Sequence, residues 1–209
     1  MTAATELSVG GVNVSRETFE ALRAFEALVR RWNPAINLVS KNSMPDLWDR
    51  HIADSAQVFA VCPSTAVSWA DFGSGGGFPG LVVALLAKQL QPKLHVTLVE
   101  SDLRKATFLR QAAVALALHV TVRSERIESL APLSADVLSA RALAPLSDLL
   151  AFAKAHLRPD GIAIFPKGAR YQDEILHARK AWDFDVDTRP SLSEGDAALL
   201  VIRNIHHHV

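Results

Sequence analysis

The chain has 209 residues but only one cysteine, Cys62, one tyrosine and two methionines. A single thiol excludes an internal disulfide framework. Net charge is also missing: Lys plus Arg and Asp plus Glu stand at 22 each, so no global positive field draws the protein onto nucleic acid. Any RNA or DNA contact has to come from a local patch. Long apolar runs are absent; the strongest, "LVVALLA" from Leu81 to Ala87, stops at Lys88, too short to cross a bilayer. The opening "MTAATELSVGG" lacks the basic-then-apolar profile of a secretory signal. There is no internal repeat or low-complexity tract. The expectation from these absences is a cytoplasmic, monomeric protein with no membrane segment and no metal site.

About half of the residues are hydrophobic, 49% of the chain, enough for one substantial core. After Ser15, an N-cap residue, Phe19, Leu22, Phe25, Val29 and Trp32 recur at helical spacing, and Asn33-Pro34 is expected to break that helix. Ser43 and Pro45 open a second helix, "PDLWDRHIADSAQVFAV". The first 60 or so residues therefore read as helical, and 1–62 is expected to form an extension packed on the core. From 63 to 205 short apolar strands alternate with helices. Strands are expected at Val67–Phe72, His95–Glu100, Val120–Val122, Ala135–Ala140 and Gly161–Pro166, the last preceded by an "RPDG" turn. Helices are expected at Leu81–Leu90, Leu103–Leu118, Leu146–Leu157 and around Gln172–Trp182. "FDVDTR" and "DAALLVIRN" read as a hairpin at the sheet edge. Such alternation implies right-handed βαβ crossovers: an α/β, Rossmann-like, mostly parallel sheet with helices on both faces. The closing stretch 206–209, with His206, His207 and His208, is expected to be a tail outside the fold.

The stretch "WADFGSGGGFPG" carries the chemistry. It fits two registers. Gly75-x-Gly77-x-x-Gly80 matches a dinucleotide fingerprint, whereas Asp71-x-Gly73-x-Gly75-x-Gly77 is the acidic-first pattern of methyltransferases. Spacing does not choose between them, but charge favours the second. A carboxylate one turn from a helix N-terminus opposes a pyrophosphate there. S-adenosylmethionine has no phosphate and bears a sulfonium and an ammonium, which Asp71 is placed to support; the other reading leaves Asp71 capping the turn alone. Glu100, at the tip of the next strand, is a candidate acceptor for ribose hydroxyls with either cofactor, or a cap for the helix starting near Asp102.

Six motifs taken together resemble one family: "NLVS" at Asn37, "DRHIADS" at Asp49, "DFGSGGGFPG", "ESDLRKATFL", "SARALAPL" and "FPKG". The chain resembles, nearly end to end, the bacterial ribosomal small-subunit methyltransferase G family, also called glucose-inhibited division protein B. It departs from that family at Pro34, where a basic residue is more usual. The resemblance implies a class I S-adenosylmethionine-dependent methyltransferase fold and methylation of guanine N7 in 16S ribosomal RNA of the small subunit. It also implies a cofactor site at Gly73, Phe78, Ile127, Glu128 and Arg141, with Glu100 as the ribose acid and Asp71, Gly75 and Gly77 completing the loop. Backbone N–H groups of Ile127 and Glu128 would hold the adenine.

Guanine N7 presents a lone pair in the major groove, so its methylation needs alignment and no general base. The absence of an acid–base pair agrees with that. Pyrimidine C5 methylation needs a thiolate, and Cys62 precedes the loop; exocyclic-amine methylation uses an Asn/Asp-Pro-Pro-aromatic loop where this chain has "SARALAP". Arg141, Lys167 and His51 are expected to position the reactants. Arg104, Lys105, Arg123 and Arg170 are expected to add positive charge to the rim. Two other functions stay open at this level: an NAD-dependent oxidoreductase using Gly75, Gly77 and Gly80, and a non-catalytic ribosome-assembly factor with a degenerate cofactor pocket.

Overall fold

A computed structural model describes residues 7–193 and 195–208. A seven-stranded sheet forms the centre, in the order β5-β4-β3-β6-β7-β9-β8. Its strands are β3 (Ser68–Phe72), β4 (His95–Val99), β5 (Val120–Arg123), β6 (Ala135–Ala140), β7 (Leu157–Lys167), β8 (Trp182–Pro190) and β9 (Ala198–His207). The first five run parallel; β9 pairs antiparallel with β7, and β8 with β9. The chain winds outward from β3 through β4 to β5 and then restarts at β6 on the other side of β3. That reversal opens a crevice at the C-terminal ends of β3 and β6, the place where doubly wound sheets take ligands.

Helices cover both faces, as the alternating pattern implies. α3 (Gly80–Leu90) and α4 (Leu103–Ala115) pack on one face with the amino-terminal elements; α5 (Leu146–His156) and α6 (Tyr171–Ala178) pack on the other. β6 is buried at all six positions, as a strand covered on both sides should be, and its two polar residues, Asp136 and Ser139, are hydrogen-bonded. At the opposite end of the sheet from the crevice, Asp136 fastens three elements. Its Oδ2 accepts from the Val67 and Ser68 N–H groups and the Ser68 hydroxyl, and its Oδ1 pairs with Arg158 at 2.5 Å.

The amino-terminal region differs from the helical extension that its periodicity predicts. It begins with a hairpin, β1 (Leu7–Val9) and β2 (Val12–Val14), turned by Gly10 and Gly11 at φ +55° and +81°. Two positive-φ residues between paired strands favour glycine at both places. Helix α1 (Arg16–Ile36) is capped by Ser15 and runs past Pro34 instead of stopping there. Pro34 costs the helix the bond that an N–H there would make to the Arg30 carbonyl, but the ladder closes after it with the Asn37 N–H on the Asn33 carbonyl at 2.9 Å. Asn37, in the left-handed region, ends the helix, and the buried Asn33 side chain accepts the Val39 N–H at 2.8 Å. The second predicted helix is broken up. A 3-10 turn at Lys41–Ser43 and a π-helical segment at Trp48–Ala53 precede a short α2 (Asp54–Ala60).

Three boundaries shift elsewhere. "RPDG" is a bulge inside β7, not a turn before it: Leu157 pairs with Ala135 and Ile162 with Val137, and the residues between loop outward. α6 ends at Ala178, and Trp182 begins β8 because its ring is buried against the sheet. The expected tail is sheet as far as His207. The His207 ring meets Trp182 edge-on at 4.7 Å, and the His208 N–H donates to the Ala181 carbonyl. Val209 lies outside the described residues.

Candidate active site

The glycine loop divides into two halves facing opposite ways. Gly73 and Gly75, at φ +63° and +50°, line a cavity of about 600 Å³; a Cβ on Gly75 would find nothing nearer than 3.6 Å. Gly77 and Gly80 face inward. A Cβ on Gly77 would meet Leu81 at 2.7 Å, and one on Gly80 would meet Leu98 at 2.3 Å and Asp71 Oδ2 at 2.6 Å. Phe78 is buried as well, tilted on Phe25 and His51 at 5.1 Å, so it supports the wall from behind.

Asp71 is fully enclosed beneath this loop and does not reach the cavity, contrary to the ammonium contact expected of it. Ser139 Oγ donates to its Oδ1 at 2.7 Å, and the Gly80 N–H donates to its Oδ2 at 3.2 Å. Trp69 Nε1 in turn donates to Ser139 Oγ at 2.8 Å. Burial pushes the Asp71 carboxyl up to about 6, against the opposing pull of the Ser139 and Gly80 hydrogen bonds. The carboxylate occupies the N-terminus of α3 where a dinucleotide pyrophosphate would sit, and Gly77 and Gly80 serve packing. The NAD register loses its site on both counts.

The 600 Å³ cavity lies over the ends of β3, β4 and β5, and its chemistry fits S-adenosylmethionine. Glu100 lines it, buried. Its two oxygens accept the N–H groups of Gly75 and Asp102, each at 2.8 Å, which fixes the carboxylate and leaves further lone pairs for hydroxyl donors. Asp102 itself caps α4, so the capping role once open to Glu100 belongs to its neighbour. Ile127 and Glu128 stand at the first two positions of a 3-10 turn whose internal bonds begin at the Ser129 N–H. Their own N–H groups are those the turn leaves over.

A second cavity, about 510 Å³, adjoins the first and shares its wall, the segment from Arg141 to Ala144. Arg50, His51 and Asp54 line one side, Lys167 and Gly168 another. Arg141 projects from the end of β6 and is gripped by the amino-terminal region. Its Nη2 donates to His51 Nδ1 at 2.7 Å, its Nη1 reaches the Arg50 carbonyl at 3.3 Å and Asp54 at 3.7 Å, and its guanidinium lies 5.3 Å over Phe78. The Arg50 carbonyl that Arg141 uses belongs to the π-helical segment, a form found frequently at functional sites. His51 is held neutral: burial, then the positive charges of Arg141 and Arg50, lower it to about 3. It therefore does not exchange protons at neutral pH. Lys167 lines this cavity, but its ammonium is already paired, donating to Glu174 Oε2 at 2.7 Å and the Ala144 carbonyl at 3.0 Å. It anchors the shared wall.

Of Arg104, Lys105, Arg123 and Arg170, only Lys105 lines either cavity. Cys62 is half-buried, with burial pushing its thiol up to about 12, which leaves no thiolate nucleophile. Sequence reasoning missed Asp54, Glu174 and Asp148. Asp54 sits one helical turn beyond Arg50 and His51, a spacing that offered the signal; Glu174 had none.

Comparison with known proteins agrees with this geometry. The family model described as GidB, rRNA small subunit methyltransferase G, matches residues 18–200. The Ribosomal RNA small subunit methyltransferase G of Ruegeria pomeroyi is 54% identical over 194 residues, 93% of this chain and 95% of that protein. Among solved structures, the ribosomal protein L11 methylase of Lactobacillus delbrueckii subsp. bulgaricus superposes with a TM-score of 0.58 at 19% identity, covering 75% of this chain and 79% of the other. M. jannaschii TYW2 in complex with AdoMet superposes at 0.52 with 16% identity, covering 76% of each chain. The two structures share the class I methyltransferase fold; the sequence match goes further, and the chain belongs to the rRNA small subunit methyltransferase G family.

Proposed function

We propose that the protein transfers a methyl group from S-adenosylmethionine to N7 of a guanine in small-subunit ribosomal RNA, acting as a monomer. The adjoining pair of cavities carries this reading: one suits the cofactor, the other is open to an acceptor base, and only the Arg141–Ala144 wall parts them. When bound, the cofactor supplies an electrophilic methyl carbon. The chain has to orient the acceptor and exclude water. Arg141 faces both cavities and is preset by His51 and the Arg50 carbonyl, so it can direct hydrogen bonds to a cofactor carboxylate or a guanine edge without first being ordered. Lys167 fixes the wall through the Ala144 carbonyl. N7 attack releases no proton at the start, and neutral His51, a paired Lys167 and an enclosed Asp71 suit a site that performs no general base step. Alignment of this kind is worth up to about 7–11 kcal/mol.

Incubation of the protein with labelled S-adenosylmethionine and unmodified small ribosomal subunits, or their extracted RNA, followed by mass spectrometry of the nucleosides, tests the reading. 7-Methylguanosine is expected. A different methylated nucleoside, or none where a control methyltransferase works, would overturn it.

A further inference from the structure

Five charged residues that line the cofactor cavity, Lys105, Glu125, Arg126, Glu128 and Asp148, make no side-chain hydrogen bond or ion pair among the described residues, and of these Asp148 alone stands on the side of β6 and α5. Asp148 lies in the first turn of α5. Its direction follows from helix geometry. Asp148, Ala151 and Phe152, at i, i+3 and i+4, share one face, and all three line the cavity. Leu146, Leu149, Leu150 and Ala153 on the other faces are buried in the core. A favourable helix dipole would accept an acid on any side of this turn; Asp148 and Ala151 are exposed, so this face is open for a ligand to cover.

Topology fixes which end of the ligand it meets. The sheet runs β5-β4-β3-β6, so under the methyltransferase reading, on which this inference rests, Glu100 and the 127–129 turn mark the adenosine end over β4 and β5. The remainder of the cofactor extends across β3 toward β6 and α5, where Arg141 and Asp148 stand. That part carries a carboxylate, an ammonium and the sulfonium. Asp71, the acid in the glycine-loop motif, is enclosed; Glu100 is fixed at the adenosine end by the Gly75 and Asp102 N–H groups; and Glu125 and Glu128 stand at that same end, beside and within the 127–129 turn. We infer that Asp148 is the carboxylate that reads the positive sulfonium, so the site distinguishes the charged cofactor from its neutral thioether product. Methyl transfer removes the charge that Asp148 attracts and thereby favours product release.

Calorimetric titration of the intact protein and of Asp148→Asn with three ligands tests this without any turnover. S-adenosylmethionine has the sulfonium, sinefungin has an ammonium in its place, and S-adenosylhomocysteine has neither; the amino-acid end is common to all. Asp148→Asn is expected to weaken the first two by about five- to tenfold, the size of one partly screened charge pair, and to leave the third nearly unchanged. Asp148→Glu should restore most of the difference. Equal losses for all three would mean that Asp148 serves the common ammonium or the fold alone, and no loss for any would mean that it faces solvent; either overturns the inference. If the unaltered protein binds none of the three, the methyltransferase reading itself fails, an outcome visible before any variant is made.

Discussion

The two cavities meet at Arg141–Ala144 but are built by different means. The cofactor cavity is framed by backbone: strand ends, a turn of glycines with positive φ, and a carboxylate pinned by two N–H groups. The acceptor cavity is framed by residues from four distant stretches, 50–57, 141–144, 166–174 and 191–199: Arg141 ties the second to the first through His51, Lys167 ties the third to the second through the Ala144 carbonyl, and the Leu192 N–H and Ser193 hydroxyl tie the fourth to the first through Gln57 and Asp54. A wall of backbone tolerates side-chain changes and fails when something enlarges it from inside. A wall of side chains fails one contact at a time, and each loss is smaller.

Gly80→Ala should break the first kind most severely. Its methyl would sit 2.3 Å from Leu98 and 2.6 Å from Asp71, overpacking that costs about 2–3 kcal/mol in urea unfolding. Gly75→Ala faces open space; only its φ of +50° is strained, for about 1–2 kcal/mol, and cofactor affinity should fall although the protein folds. Equal stability losses would show that the loop's two halves do not differ as described.

Asp71 offers a second handle on that framework, because its effect depends on pH. Its folded carboxyl is raised from 3.8 to about 6, so the folded state holds the proton more tightly than the unfolded one. The stability it contributes is complete below about pH 4, is lost as pH rises through 6, and is flat beyond. Two pKa steps correspond to about 3 kcal/mol. Asp136, at the far end of the sheet, has the opposite sign. Burial disfavours its charge, but hydrogen bonds from Val67 and Ser68 and the Arg158 charge outweigh this and hold it below the ordinary range. Its contribution is present above pH 4 and disappears on acidification. Subtracting the pH–stability curve of Asp71→Asn from that of the unaltered chain should leave a fall confined to pH 4–6; a difference that does not vary there would sink the assignment.

Arg141 joins the two cavities, and Arg141→Ala should weaken S-adenosylmethionine by about 1.5–3 kcal/mol if the guanidinium makes a charged hydrogen bond to it. Removing that charge also takes away one of the causes holding His51 low, so the ring should titrate higher by NMR, although burial, the larger cause, persists. A His51 titration that does not move would place Arg141 outside its field.

This contrast also decides what could be read from the chain. The parallel sheet, its helices and the cofactor loop follow from local patterns: alternating apolar runs, positive-φ glycines, an acid at a strand tip. Asp71 was legible as important but not as enclosed, since whether a strand-end carboxylate faces the ligand or the loop's own N–H groups depends on where Ser139, 68 residues away, comes to rest. The β1–β2 hairpin went unseen because three-residue strands carry too short a pattern, although Gly10-Gly11 was its signal. The π-helical segment left none: "WDRHIA" has the composition of an ordinary helix, and its irregularity arises from packing, with Trp48 beneath Arg23 and His51 drawn to Arg141.

That packing supplies the smallest and most discriminating test. The Arg23 guanidinium lies 3.6 Å over the Trp48 ring and also pairs with Glu26 at 2.8 Å, while half of its side chain stays in water. Trp48 is the first residue of the segment that delivers Arg50 and His51. Arg23→Ala should therefore cost only about 0.5–1 kcal/mol of stability, the worth of one exposed cation–π contact. Its effect on ligands should be one-sided, because α1 contributes no residue to the wall of the cofactor cavity. S-adenosylmethionine affinity should be unchanged by calorimetry, whereas KM for ribosomal RNA should rise about twofold, a shift of only about 0.4 kcal/mol. If both ligands weaken together, the amino-terminal region acts on the whole crevice through Arg141, and the two cavities respond as one.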